Sequence, residues 1–183
     1  MTVTVRRATA DDGRVIAEIR VASWRAAYDG LIPPVLLERL DVDREAQLRT
    51  THWDQRHADP RVSDFVAHVD GDAVGWAAVG PCRDDDGPHR GELYALYALP
   101  THWSAGVGHA LMAAAEQALR RARFAQASLW VLDGNARAAE FYERHGWRED
   151  GFVKDDRRIV GSTGAAPLRE RRRVRDLAEI VSR

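Results

Sequence analysis

Hydrophobic residues recur along the chain with two periods, and the order of these periods predicts the architecture. Alternating valines over residues 2–7 predict a first strand, and Thr9-Ala10-Asp11-Asp12 is typical of a helix start. Residues 62–69 and 73–79 predict two strands, and the pair Asp70-Gly71 between them favours a two-residue hairpin turn. The first half of the chain therefore predicts a strand, a helical region and a hairpin.

The helical region divides into two segments at Leu31-Ile32-Pro33-Pro34, because proline cannot continue a helix. The first segment places Val15, Ile16, Ile19, Ser23, Ala26 and Ala27 on one face at helical spacing. The second places Leu36, Leu37, Leu40, Leu48 and Trp53 on its apolar side, with a further break expected at residues 41–44. We expect both segments to pack on a sheet.

The second half alternates strands and helices. An apolar run over residues 92–99 predicts a buried strand, and a helix follows whose buried stripe contains Leu111, Met112, Ala115, Ala118 and Leu119. Further strands are predicted at residues 127–132, 147–153 and 168–175, and a helix is predicted at 136–145. A polar stretch at 155–167 predicts an exposed loop, and a short helical tail is expected after the last strand.

This order predicts a mixed α/β fold. Strands joined by a helix should run parallel and the hairpin strands antiparallel, so we expect a mostly antiparallel sheet with a parallel pair at its middle. A length of 183 residues suits a single domain over residues 1–183.

Composition narrows the classes of function. The formal net charge is −1, so no global field would attract nucleic acid, and we expect no nucleic-acid partner. No stretch has the roughly twenty apolar residues of a membrane span, and the N-terminus does not resemble a signal peptide, so we expect a cytoplasmic protein without a membrane partner. Cys82 is the only cysteine and the histidines show no paired spacing, so no metal site is predicted.

The stretch between the predicted strand 92–99 and the next helix carries the first candidate chemistry. Pro100 ends the strand, and Gly106-Val107-Gly108 opens the helix. Glycines at a helix N-terminus let unpaired backbone N–H groups approach a phosphate, and the helix dipole favours negative charge there. This turn therefore predicts a polyanion site. The alternative is a tight strand-to-helix connection that binds no ligand.

A second segment, NARAAEFYERHGW at residues 135–147, follows one strand later, and the combination resembles the GNAT superfamily of acyl-coenzyme A dependent N-acyltransferases. The family pattern Q/R-x-x-G-x-G/A aligns with residues 103–108. Its later pattern N-x-x-A-x-x-F/L-Y-E-x-x-G-F/W aligns with Asn135, Ala138, Phe141, Tyr142, Glu143, Gly146 and Trp147. The resemblance implies the GNAT fold, acetyl-coenzyme A as co-substrate and no metal.

The resemblance also implies which residues bind the coenzyme. These are Tyr97, Ala98, Leu99, Trp103, Ser104, Ala105, Gly106, Val107, Gly108, His109, Asn135, Ala138 and Tyr142. Trp103 and Ala105 replace the family's usual side-chain donors, so the phosphates should rely on the backbone N–H groups of residues 105–109, with His109 as an extra contact. The backbone of residues 97–99 should pair with pantetheine, and an N–H near Ala98 or Leu99 should polarise the thioester carbonyl. The strand near Trp130 should diverge to make room.

For catalysis, the resemblance implies direct attack of an amine on the thioester. Tyr142 matches the family's general acid, and a phenol is protonated at neutral pH. Glu92 or a water is the expected base. A regular strand would place Glu92, Tyr94, Leu96 and Ala98 on one face. The alternatives are a tyrosine that only packs under the sheet and a glutamate that lies partly exposed at a strand start.

The acceptor site is expected near the first helices, where the family holds its acceptors. Trp24, Tyr28, Trp76 and Tyr94 are the candidate substrate-binding residues, with the acidic loop at residues 84–86 beside them. Aromatic rings and carboxylates would suit a cationic small-molecule amine. The alternative assigns Trp24 and Trp76 to the core and the aspartates to a solvated loop.

The arginine-rich run at residues 169–175 has three interpretations. A solvated edge strand is favoured over a coenzyme or partner contact and over a nucleic-acid site, because Glu170 interrupts the run in a neutral chain. Two other functions remain open from sequence: a non-catalytic acyl-coenzyme A sensor of the same fold, and an arginine-mediated nucleic-acid binder. A homodimer is also left open.

Overall fold

The computed structural model describes residues 2–87, 89–157, 160 and 166–177. The seven strands of the described chain form one sheet in the order β1-β2-β3-β4-β5-β7-β6. Their bounds are β1 Val3–Arg7, β2 Ser63–Val69, β3 Asp72–Pro81, β4 Gly91–Ala98, β5 Gln126–Leu132, β6 Arg148–Asp156 and β7 Leu168–Asp176. β4 and β5 pair parallel and all other neighbours pair antiparallel, which confirms the predicted mixed sheet.

The helices also follow the predicted order. They are α1 Gly13–Ala27, α2 Pro34–Glu38, α3 Val42–Thr51, α4 Trp53–Arg56, α5 Val107–Arg121 and α6 Ala136–Arg144, with single 3₁₀ turns at Ala10–Asp12 and Pro100–His102. The break expected at residues 41–44 falls at the first of these residues: α3 begins at Val42, and the Asp41 carboxylate caps it by accepting a hydrogen bond from the Arg44 N–H. In the described chain, no helix is both long and apolar enough to cross a membrane.

Helices cover both faces of the sheet. α5 packs on one face with Leu111, Met112 and Leu119 in the main core, which confirms its predicted stripe. α1 and α3 lie on the other face, where Ile16 and Ile19 pack against β2 and β3.

Two predicted apolar positions are wrong. Ala26 is exposed, because the buried face of α1 turns through Val21 and Trp24 instead. Leu48 is 49% exposed, because the next residue, Arg49, takes the inward position on α3. A buried arginine in place of a leucine is a first sign that this helix face serves more than packing.

The β2–β3 hairpin confirms its turn. Asp70 and Gly71 have φ of 51° and 95°, the left-handed conformations that such a two-residue turn requires. The hairpin places Trp76 opposite Val66 in the sheet.

The parallel pairing of β4 and β5 is short. It covers only Gly91 with Ala127 and Glu92 with Ser128. Beyond this point β5 continues along β7 as far as Leu132, while β4 continues along β3 as far as Ala98. The two strands therefore diverge near Trp130, as predicted, and a seam opens at the middle of the sheet.

A β-bulge in β4 corrects one prediction. Val79 of β3 pairs with Leu93 and Ala78 pairs with Ala95, so Tyr94 is an extra residue in β4. An extra residue inverts the alternation of side chains beyond it. Leu96 and Ala98 therefore pack on the α5 side, and Glu92, Tyr94, Ala95 and Tyr97 face the opposite side, so the prediction of one face for Glu92, Tyr94, Leu96 and Ala98 is wrong.

The prediction of a solvated edge strand for the arginine run is also wrong. β7 lies between β5 and β6, so β6 is the outer strand. Arg172 and Arg173 are each 2% exposed. Arg172 pairs with Asp86 and Asp150, and Arg173 pairs with Glu143 and Glu149. The expected loop at 155–167 is wrong at its start, because β6 continues to Asp156. Residues 158–159 and 161–165 of that stretch, and the chain beyond residue 177 where a helical tail was expected, lie outside the described residues.

Candidate active site

A cavity of about 670 Å³ lies between the first helices and the sheet. Trp24 and Tyr28 reach it from α1 and the turn after it, and Trp76 and Tyr94 reach it from the sheet. All four predicted acceptor residues therefore line one cavity, and Glu92 lies in the same wall. The acidic loop is not brought here: Asp84 accepts a hydrogen bond from Trp130 Nε1 at 3.0 Å, and Asp86 pairs with Arg172.

A smaller cavity of about 90 Å³ occupies the seam between β4 and β5. Asn135, Ala138 and Tyr142 of the second sequence motif line it. Tyr28 and Tyr97 line both cavities, so they mark the junction between the seam and the larger space. The fold thus joins the motif residues to the predicted acceptor residues.

Three of the four tyrosines of the chain meet at this junction. Burial raises the pKa of Tyr142, and the neighbouring Tyr97 adds to the effect. The pKa of Tyr28 is raised in the same way, first by burial and then by Tyr97 and Tyr142. The three tyrosines therefore lie close together in the wall of the seam cavity. Because its pKa is raised, Tyr142 keeps its proton at neutral pH.

Glu92 is buried and paired. It is 2% exposed, accepts a hydrogen bond from the Arg83 backbone N–H at 2.8 Å, and pairs with the Arg83 guanidinium at 2.5 Å. This pairing fixes the carboxylate at the start of β4, in the wall of the main cavity. It also takes up hydrogen-bond acceptor capacity that a general base would use.

Tyr94 has its phenol engaged away from the tyrosine junction. Its hydroxyl donates to the Pro81 carbonyl at 2.5 Å, and the Arg83 guanidinium lies 4.1 Å from the ring centroid. Burial raises the pKa of Tyr94. What Tyr94 presents to the cavity is therefore chiefly an aromatic surface.

The glycine turn has the geometry of an anion site. Gly106 has φ of 83°, a conformation that L side chains rarely adopt. A Cβ at Gly108 would lie 3.2 Å from the Phe141 ring of α6, so this position is crowded. No backbone carbonyl of the described residues accepts from the N–H groups of residues 106–109 at the start of α5. The Ala105 N–H, by contrast, donates to the His102 carbonyl at 3.4 Å.

Arg137 supplies a cation that the sequence analysis missed. Its guanidinium lies 3.1 Å from the centroid of the Trp103 ring, beside the turn that lacks basic side chains of its own. The Trp103 indole N–H in turn donates to the Ala98 carbonyl at 2.8 Å. The signal was an arginine inside the second motif, but only the packing of α6 against the turn shows where it lies.

The other predicted coenzyme contacts have local partners. Asn135 caps α6 by accepting from the Ala138 N–H at 3.2 Å, and His109 contacts His145 at 3.0 Å. The Leu99 N–H donates to the Val74 carbonyl at 2.8 Å, so it is committed to the β3 side. Alternate N–H groups of a strand point in opposite directions, which turns the Ala98 N–H toward the seam.

Besides Arg83, three arginines from the helices line the main cavity, and the sequence analysis singled out none of them. Arg20 comes from α1, Arg49 from α3 and Arg56 from α4. Arg20 lies over the Trp24 ring and Arg49 over the Trp76 ring, each at 4.3 Å. No local pattern in the sequence distinguishes a buried arginine from a solvated one, so only the tertiary structure places these three residues in the cavity wall.

Comparisons with known proteins agree with this geometry. The sequence model of the Acetyltransferase (GNAT) family matches residues 16–147. The uncharacterized N-acetyltransferase YuaI of Bacillus subtilis (strain 168) is 34% identical over 160 residues, which are 87% of each chain. The crystal structure of the PaiA N-acetyltransferase from Thermoplasma acidophilum, solved with coenzyme A, has a TM-score of 0.73 at 15% identity, covering 96% of this chain and 99% of that one.

A second solved structure has the same fold. It is YncA, a putative acetyltransferase from Salmonella typhimurium with its cofactor acetyl-coenzyme A, with a TM-score of 0.70 at 20% identity over 100% of this chain and 98% of that one. The chain therefore belongs to the GNAT family, and it is an acyl-coenzyme A dependent N-acyltransferase.

Proposed function

We propose that this enzyme transfers the acetyl group of acetyl-coenzyme A to a primary amine of a small molecule. The observation that carries the proposal is the junction of the two cavities, where the β4–β5 seam meets the aromatic cavity at Tyr28 and Tyr97. Acetyl-coenzyme A, when bound, supplies the thioester. The neutral amine nitrogen forms the new C–N bond as the C–S bond breaks, the amine loses one proton and the departing thiolate gains one.

The turn at the start of α5 fits the coenzyme's phosphates. Backbone N–H groups of residues 106–109 provide donors without internal acceptors, and Arg137 provides a nearby positive charge. Ser104 also has a positive φ of 62°, which bends the backbone before the glycines. We assign the remaining predicted coenzyme contacts, Tyr97, Ala98, Asn135 and Ala138, to the seam.

Tyr142 is the proposed general acid. It lines the seam and its raised pKa keeps the phenol protonated. A thiolate released in the same buried space would be more basic than in water, because burial disfavours its charge too. Proton transfer from the phenol is therefore better matched there than the ordinary pKa values suggest.

The amine must lose its proton to Glu92 or to water. Glu92 lies in the wall of the main cavity, but Arg83 holds its carboxylate. Because Arg83 occupies oxygens of this carboxylate, we assign the proton transfer to a water that Glu92 orients rather than to direct abstraction by Glu92. The Ala98 N–H is the proposed donor to the thioester carbonyl, in place of Leu99, whose N–H is bonded to β3.

The proposal predicts binding and turnover of acetyl-coenzyme A. At one hundred times Kd the ligand should add about 2.7 kcal/mol of stability by mass action, which raises Tm by several degrees. Release of free thiol should then be measured against a panel of amino acids, polyamines, aminoglycosides and peptides. The absence of both a melting shift and thiol release with every acceptor tested would disprove the proposal.

Arg137 should contribute to coenzyme affinity. Replacing Arg137 by glutamine should raise the Kd for acetyl-coenzyme A about tenfold, because a charged contact to the phosphates is lost. The matched control is Arg144→Gln on the same helix, whose partner is Glu140 at 3.7 Å. Isothermal calorimetry at two salt concentrations checks this, since a phosphate contact weakens with salt. Equal Kd values for the two variants would remove Arg137 from the coenzyme site.

A further inference from the structure

The wall of the main cavity that α1 and α3 form contains buried donors that the described protein does not satisfy. Trp24 Nε1 and Arg49 Nε are both buried, and neither has a hydrogen-bond partner among the described residues. Both side chains line the main cavity, and both groups can only donate. A buried donor without a partner costs free energy, so this wall holds donor groups whose hydrogen-bonding capacity the described residues leave unfilled.

Arg49 is the more demanding of the two. Its side chain is 9% exposed, and its nearest carboxylate, Glu45, lies at 3.9 Å, beyond hydrogen-bond distance. Glu45 is itself paired with Arg20. Burial lowers the pKa of Arg49 to about 10, and Arg56 and Arg20 act in the same direction against Glu45. The guanidinium therefore stays charged at neutral pH while its charge is only partly compensated.

Carboxylates in the same cavity have partners. Asp64 accepts from Trp76 Nε1 at 2.7 Å and contacts His57 Nε2 at 3.1 Å. Glu92 is held by Arg83, and Glu170 pairs with Lys154 at 3.3 Å. The acidic loop expected to attract a cationic acceptor lies outside this cavity. The unfilled hydrogen-bonding capacity of the cavity is therefore on its cations.

We propose that the acceptor carries a carboxylate as well as the reacting amine, and that Arg49 binds this carboxylate. The inference rests on the proposed function and names its substrate class: a free amino acid. A guanidinium offers parallel N–H donors that match the planar carboxylate, and the Arg49 side chain lines the cavity.

The position of Arg49 suits this role. Trp76 contacts the Arg49 guanidinium at 4.3 Å and stacks with Tyr97, with ring centroids 5.9 Å apart. Tyr97 stands at the junction with the seam, beside Tyr142. An acceptor whose carboxylate lies at Arg49 and whose body packs along the aromatic wall can thus direct its amine toward the seam.

Binding of simple carboxylates tests the site without any turnover. The probes are 3-phenylpropanoate and glutarate, with 3-phenylpropanamide as the uncharged match, and the readouts are Tm and calorimetry. The carboxylates should raise the Tm of the wild type and of Arg44→Met, an exposed arginine on the same helix, but not of Arg49→Met. Arg49→Met itself should fold with an unchanged or higher Tm, because an apolar side chain replaces a buried, poorly paired charge.

The second test compares turnover of three amines that differ in the carboxylate. With acetyl-coenzyme A saturating, kcat/KM for L-phenylalanine should exceed that for L-phenylalaninamide and phenethylamine by about 100-fold, and Arg49→Met should abolish this preference. Equal rates on all three amines would overturn the carboxylate site while leaving the proposed function intact. Carboxylate stabilisation that depends on Arg49, without thiol release from any amine, would support the site and overturn the proposed function. Failure of both carboxylates to stabilise the wild type would overturn the site.

Discussion

Replacing Tyr142 by phenylalanine is expected to lower kcat about 100-fold to 1000-fold. In the wild type the Tyr142 ring lies beside Phe141, with ring centroids 5.4 Å apart. The substitution keeps this ring and removes only the hydroxyl. Loss of a positioned general acid typically costs two to four orders of magnitude, because the thiolate must leave unprotonated or wait for water. Steady-state thiol release with saturating acceptor measures this effect.

Coenzyme binding separates an acid from a binding group in this experiment. Tyr142→Phe should keep the melting shift with acetyl-coenzyme A, since we assign the phosphates to the backbone N–H groups of the glycine turn and not to the phenol. A fall in kcat with Kd unchanged is the signature of an interaction made only in the transition state. An unchanged kcat would assign Tyr142 to packing, the alternative that the sequence left open.

Replacing Trp147 by alanine is expected to destabilise the fold by about 3–5 kcal/mol. The indole is 0% exposed within the main core, and its N–H donates to Glu116 at 3.3 Å. The space left by the indole would open beside the buried Glu116 carboxylate, which also pairs with Arg175 and Arg120. For a chain of this length the loss corresponds to a fall in Tm of roughly 10 °C, measured by calorimetry.

The conservative control is Trp147→Phe. It retains most of the ring volume and removes only one hydrogen bond to Glu116, which keeps its two arginine partners. We expect a cost of about 1 kcal/mol. If the phenylalanine variant were as unstable as the alanine variant, the hydrogen bond rather than the packing would dominate at this site.

Local patterns in the sequence predicted the fold well. Hydrophobic alternation and the Asp70-Gly71 turn predicted the β2–β3 hairpin, and the apolar stripe of α5 lies in the core as expected. The glycines at residues 106 and 108 predicted a strand-to-helix turn, and α5 begins there at Val107 after Gly106 with its positive φ. Such features follow from interactions between residues close in sequence, so the chain alone is enough to infer them.

Two predictions were wrong because they depend on how strands distant in sequence pair in the sheet. A bulge at Tyr94 depends on the register of β3 against β4, and it moved Leu96 and Ala98 to the opposite face from the one predicted. The arginine run was expected at a sheet edge, but β6 adds outside β7 and buries Arg172. Neither strand order nor register is encoded in the local period of hydrophobic residues.

The sequence by itself determined the family and the order of elements, and it selected the motif residues that we propose for the coenzyme site, because spacing along the chain carries these features. The tertiary structure alone decided the electrostatics of the main cavity. It paired Glu92 with Arg83, kept the acidic loop out of the main cavity, and placed Arg49 against Trp76 with an Nε that has no hydrogen-bond partner in the described part of the chain. The physical reason is that charge compensation is set by neighbours distant in sequence, and only packing shows which charges are left for a substrate.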